Sequence, residues 1–175
     1  PTDVGAAKGH GTHVAGIVAA VANGTGTAGV SYGAKVMVVR VLDCSAGSDC
    51  PGNYADMADG IQFAADNGAR VINLSLGGYA DSATLRDAIR EAAGTSVLVG
   101  GAGNDDSSSP FYPAAYPEVI AVAASTDTNA KTVFSNYGPW LTLVAPGAAI
   151  RTTANGGGYV TQNGTSLATA YVAGA

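Results

Sequence analysis

Short runs rich in Val and Ile alternate with Ala-rich segments of helical period along the 175 residues. That alternation predicts an α/β fold, a three-layer sandwich in which helices cover both faces of a largely parallel sheet. A balance of 47 % hydrophobic to 12 % charged residues supplies a core and excludes a disordered chain. The 25 Gly and 7 Pro are scattered, which places tight turns between compact elements and gives no sign of a linker. No domain boundary or repeat is evident, so residues 1–175 are read as one domain.

The elements follow in order. Residues 10–22 (HGTHVAGIVAAVA) read as a helix. Residues 35–42 (KVMVVRVL) are a β-branched run, expected as a buried strand. Residues 53–67 place Ala58, Ile61, Ala64 and Ala65 on one helical face, with Asn53 as N-cap and Gly68 as stop. Residues 70–76 form the next strand. Residues 82–93 carry Leu85, Ala88, Ile89 and Ala92 at helical spacing, ending at Gly94. Residues 96–100 and 119–123 are further buried strands, 131–161 read as short strands and turns, and a last helix begins near Ser166.

Several function classes are excluded early. A net charge of −5 without any run of Lys or Arg speaks against nucleic acid and anionic membranes as partners. No stretch of about eighteen apolar residues occurs. A GxGxxG string at 24–29 lies between a helix and a strand, the reverse of the dinucleotide fingerprint, and so offers no helix N-terminus to a pyrophosphate. In parallel sheets, sites form at the carboxyl ends of strands. Two such ends are Gly-rich, at 75–78 and 101–104.

The chain has two histidines, His10 and His13. Ser166 lies where a Gly turn runs into a helix. There an unsatisfied backbone N–H and the positive end of the helix dipole favour an anion beside the hydroxyl. A serine needs a base to become a nucleophile, and imidazole is the natural one near neutral pH. Spacing alone cannot bring His10 to Ser166.

Six motifs then carry a resemblance: HGTHVAG at 10–16, NLSLGG at 73–78, AGN at 102–104, YPA with YP at 112–117, APG at 145–147 and GTSLA at 164–168. Their order and type resemble the subtilases, the subtilisin-like serine proteases of peptidase family S8. The resemblance implies Ser166 as nucleophile, His10 as general base and then acid, and Asn104 as oxyanion donor with the Ser166 backbone N–H. It implies a backbone rail for the peptide at Ser75, Leu76 and Gly77. An opposite edge would include Pro51 and Gly52, with Gly101, Ala102 and Gly103 walling the pocket for the side chain before the scissile bond. Phe111 falls near that pocket's far wall. His13 is expected to be structural, and Tyr54 either lines a pocket or packs.

The resemblance has departures. Leu167 stands where Met is usual, a swap of similar volume. Ala170 replaces a Pro, which restores a backbone donor. The family's catalytic aspartate belongs to an upstream D-S/T-G motif, and Asp3 does not match it. The expectation is a piece truncated at both ends, with the third triad member outside this chain. Loss of that aspartate costs about 3 × 10⁴ in kcat, a figure that belongs to subtilisin itself. The piece alone is therefore expected to be inactive and the complete protein to be a secreted endopeptidase. The alternative is an inactive fragment or a peptide-binding pseudoprotease. An esterase is disfavoured because Ala168 stands where a G-x-S-x-G elbow needs Gly.

No cofactor is expected for catalysis. The family often wraps calcium at a loop like 22–29, so Asn23, with the carbonyls of Val21, Thr25 and Thr27, is the candidate metal site. Cys44 and Cys50, six apart, fit neither a metal pair nor a redox CxxC, and are read as a disulfide or as two thiols. The expected partners are a polypeptide substrate and a pro-segment. The N-x-S/T sequons at Asn73 and Asn163 are read as chance matches.

Overall fold

A computed structural model of the protein describes residues 9–42 and 52–175. Helix α1 (His10–Ala19) is followed by α2 (Tyr54–Asp66), β1 (Val71–Leu74), α3 (Ala83–Ala92), β2 (Val97–Gly101) and β3 (Val119–Ser125). After these come β4 (Leu143–Pro146), β5 (Ile150–Thr153), β6 (Tyr159–Gln162) and α4 (Thr165–Gly174). Strands β1 to β4 form one sheet in sequence order, all parallel, with Val71 opposite Val97 and Gly101 opposite Val122. Strands β5 and β6 make a separate antiparallel pair.

Alternation along β2 builds two cores, because successive strand residues point to opposite faces. Leu98 joins Ile72, Leu74, Met57, Ile61, Leu85 and Ile89 beneath α2 and α3. Its neighbour Val99 joins Val122, Ala124, Ala145 and Ala168 on the α4 side. Helix α4 comes close to the sheet because Ala168, Thr169 and Ala170 are small, and all three are fully buried. Helix α1 covers α4 from outside, where Val14, Ile17, Ile150, Leu167 and Ala170 share a third cluster. The layers and the parallel sheet agree with the expected architecture.

The Asn53 side chain accepts from the Asp56 N–H at 2.8 Å, as its N-cap reading expects, and Ser82, a cap the sequence reading did not mark, accepts from the Leu85 N–H. Gly68 takes φ 80° at the stop. Helix α1 ends three residues earlier than its Ala-rich pattern suggests. The returning segment takes its last carbonyls: Val30 N–H donates to Ile17 and Ser31 N–H to Val18.

One element is corrected. Residues 35–42 form no strand among the described residues, and Val36, Met37 and Val38 are 47 %, 42 % and 63 % exposed. Val39, Val41 and Leu42 still pack on the α2 side. A β-branched run becomes a strand only when a neighbour supplies the ladder, and β1 is the edge of the four-stranded sheet. The apolar pattern reports burial propensity and is silent on hydrogen-bond partners. Among the described residues, no helix is long and apolar enough to cross a membrane.

Candidate active site

The site is built at the N-terminus of α4. Two bonds anchor the entering turn: Gly164 N–H donates to the Gly147 carbonyl at 2.9 Å, and Ala149 N–H donates to Asn163 Oδ1 at 2.8 Å. The APG segment thus holds the serine turn, and Asn163 is engaged in it.

Two strand ends converge on the first turn of α4. From β2, Gly103 N–H donates to Thr165 Oγ1 at 3.2 Å, and Asn104 Oδ1 accepts from the Thr165 N–H at 2.9 Å. From β1, Ser75 Oγ donates to the Ser166 carbonyl at 2.9 Å and accepts from Asn73 Nδ2 at 2.9 Å. Ser166 Oγ donates weakly, at 3.4 Å, to the Ser75 carbonyl. Among the described residues the Ser166 backbone N–H has no acceptor. It lies 3.8 Å from the point where a Cβ on Gly164 would stand, and Asn104 Nδ2 lies 3.9 Å from the same point. Both N–H groups therefore lie within 4 Å of one point beside Gly164.

His10 is the first residue of α1 and half-buried. Helix α1 packs against α4, with Val14 and Ile17 sharing a cluster with Leu167 and Ala170, and the Gly174 Cβ position lies 3.6 Å from Val18 Cα. His13 is buried, with its carbonyl accepting from Thr152 Oγ1 at 2.6 Å.

Leu76 packs its side chain on the α2 core, while the backbone groups of Leu76 and Gly77 have no partner among the described residues. An unpaired backbone edge of this kind can add a peptide as a strand. Gly101 and Ala102 are buried beside α4, and Ala102 N–H donates to the Val122 carbonyl. Gly103, at φ 97°, closes the same wall. Gly52 is exposed and backs onto Leu42. Pro51, Cys44 and Cys50 lie outside the described residues, and with them the disulfide expectation. The Tyr54 hydroxyl reaches Gly78.

Asn23 Oδ1 accepts from Thr25 N–H at 3.1 Å and Thr25 Oγ1 at 2.7 Å. The Val21 carbonyl accepts from Asn23 N–H, and the Thr25 carbonyl from the Tyr159 hydroxyl. These oxygens have the hard character that calcium takes. With Thr27 they number four, against the six to eight it needs, and three already accept hydrogen bonds. Residues 21–29 alone do not complete such a site. Among the described residues no group of three or more His, Cys, Asp or Glu could hold a metal.

Sequence reasoning missed Asn136. It is fully buried and its Oδ1 accepts from the N–H groups of Asp105 and Ser107 at 2.9 and 3.0 Å. Its Nδ2 donates to the Ala102 carbonyl at 2.9 Å and the Tyr79 hydroxyl at 3.1 Å. This one side chain fixes the loop after Asn104. The Tyr79 hydroxyl donates to Asp105 at 2.6 Å; desolvation, then that carboxylate, holds it above the ordinary phenol value. No local pattern around 136 distinguishes such a residue from a turn asparagine.

Ser166 at a helix start, with two strand ends hydrogen-bonded to its first turn, is an arrangement suited to a serine nucleophile. The sequence profile described as Subtilase family matches residues 1–175, and the chain belongs to that family. It is 45 % identical over 169 residues to subtilisin BL of Lederbergia lenta, covering 96 % of this chain and 61 % of that protein. It is 48 % identical over 167 residues to the thermophilic serine proteinase of Bacillus sp. strain AK1, covering 94 % of this chain and 41 % of that one. Among solved structures, a protease from Pseudoalteromonas arctica PAMC 21717 superposes with TM-score 0.87 at 39 % identity, over 94 % of this chain and 56 % of that one. The chain thus spans well under two thirds of the relatives it matches.

Proposed function

We propose that these residues are part of the catalytic domain of a serine endopeptidase. The observation that carries the reading is the serine turn itself: Ser166 stands at the start of α4, its backbone N–H has no acceptor among the described residues, and Asn104 is hydrogen-bonded to the same turn. An extended peptide lies along the backbone edge at 75–77, with 51–52 opposite. The Ser166 hydroxyl attacks the carbonyl carbon, and His10 takes the hydroxyl proton and returns it to the leaving amine. The carbonyl oxygen, now an anion, receives hydrogen bonds from the Ser166 N–H and the Asn104 amide. Water then attacks the acyl-enzyme, with His10 again as base. In this reading an aspartate orients His10, and none of the six motifs supplies it.

Extracellular location, inhibition and chaperoning by a pro-segment, and a polypeptide substrate belong to the same proposal. So does a structural calcium at 21–29 completed by oxygens from outside that loop. A fall in melting temperature of the full-length protein on adding chelator supports the calcium, and an unchanged value removes it. The catalytic reading is tested by treating the full-length protein with a fluorophosphonate. Label on Ser166, lost in Ser166→Ala, supports it; an unlabelled, folded protein overturns it and favours a peptide-binding pseudoprotease.

A further inference from the structure

We propose that Phe111 fills the pocket for the substrate side chain before the scissile bond, so that this protein cleaves after small residues: Gly, Ala or Ser. The inference rests on the protease reading above. The two walls of that pocket, 75–77 and 101–103, both carry glycine where they approach Phe111. A Cβ on Gly77 would stand 2.6 Å from Phe111 Cε1, and one on Gly103 would stand 3.1 Å from its Cγ and Cδ2. One ring therefore touches both walls and spans the gap between them. Two bare walls would otherwise frame a slot for a large apolar side chain.

The ring is held from several sides. The Tyr79 ring meets it edge-on, with centroids 5.1 Å apart and planes at 81°. The Tyr79 hydroxyl is tied in turn to Asp105 and Asn136. The backbone after Phe111 is clamped to the substrate wall, since Tyr112 and Gly78 exchange hydrogen bonds of 2.7 and 2.8 Å. Ala115 N–H donates to the Phe111 carbonyl at 2.8 Å. Swinging the ring aside would break the edge-on contact and expose apolar surface, so a bulky substrate residue competes with a seated side chain.

The test uses the full-length protein and tetrapeptide anilides that differ only in the residue before the scissile bond, Ala or Phe. The parent should favour Ala by at least about 10-fold in kcat/KM, and Phe111→Ala should shift the Phe/Ala ratio upward by about 10–100-fold. Phe111→Leu, a milder change, should shift it in the same direction by less. Inhibition by the matching peptide aldehydes should follow the same order. A parent that cleaves the Phe substrate as well as the Ala substrate overturns the plug and leaves the protease reading standing. So does an unchanged ratio in both folded variants. No cleavage together with no fluorophosphonate label on Ser166 overturns both.

Discussion

Asn104 accepts through Oδ1 from the Thr165 N–H at 2.9 Å, and its amide nitrogen lies 3.9 Å from the Gly164 Cβ position, beside the turn that carries Ser166. One side chain thus caps α4 and places a donor beside that turn. The two roles separate by substitution. Asn104→Asp keeps the acceptor and loses the donor; it should melt near the parent temperature while kcat falls about 10²–10³, a magnitude known from subtilisin itself. Asn104→Ala loses both and should also give up about 1 kcal/mol of stability. Steady-state kinetics and thermal melts on the full-length protein check this; a change confined to KM would contradict the donor role.

Helix α4 packs against α1 through Leu167 and Ala170. At its far end a Gly174 Cβ would stand 2.8 Å from Val30 Cβ. Gly174→Val should therefore cost about 1–3 kcal/mol by overpacking. Adding Val30→Ala should recover part of that, giving a coupling that a double-mutant cycle resolves from urea unfolding. Additive effects would mean that the end of α4 and the segment returning after α1 do not meet.

Asn136→Ala removes the partner of three backbone groups, Ala102 C=O and the N–H groups of Asp105 and Ser107. The expected loss is about 2–4 kcal/mol, since orphaned buried groups keep their desolvation penalty. Amide exchange in 103–107 should accelerate more than in α3, which has its own core. Uniform acceleration would assign Asn136 a global role.

Stability should fall at both pH extremes, for two named reasons. The Arg86 guanidinium hydrogen-bonded to Asp81 holds that carboxyl below its ordinary value. Its contribution is present above the unfolded pKa of about 4 and is lost as pH falls through the lower folded value. Burial, and the Asp81 carboxylate that accepts from its hydroxyl, raise Tyr116. Its contribution is present below about pH 10 and is lost as pH rises through the folded value. Melting curves of Asp81→Asn should flatten the acid limb, and those of Tyr116→Phe the alkaline limb.

Much was legible from local chemistry. The N-cap Asn53, the stop at Gly68 and the spacing of Leu85, Ile89 and Ala92 in α3 act through neighbours a few residues away, which sequence spacing reports directly. The six motifs marked His10, Asn104 and Ser166, while spacing stayed silent on whether they meet. Residues 35–42 misled because a β-branched run states what it would bury and not which strand will pair with it.

By itself, the sequence determined the alternating elements, the small residues that let α4 approach the sheet, and the residue types that carry the chemistry. Only the tertiary structure decided that Asn104 caps the serine helix, that Asn136 holds the loop behind it, and that Phe111 lies between Gly77 and Gly103. Most of those are contacts between segments 29 to 61 positions apart along the chain, such as 107 with 136, 77 with 111 and 104 with 165. No periodicity encodes them, because the chain's path through space, and not its local preference, sets which backbone groups need a partner.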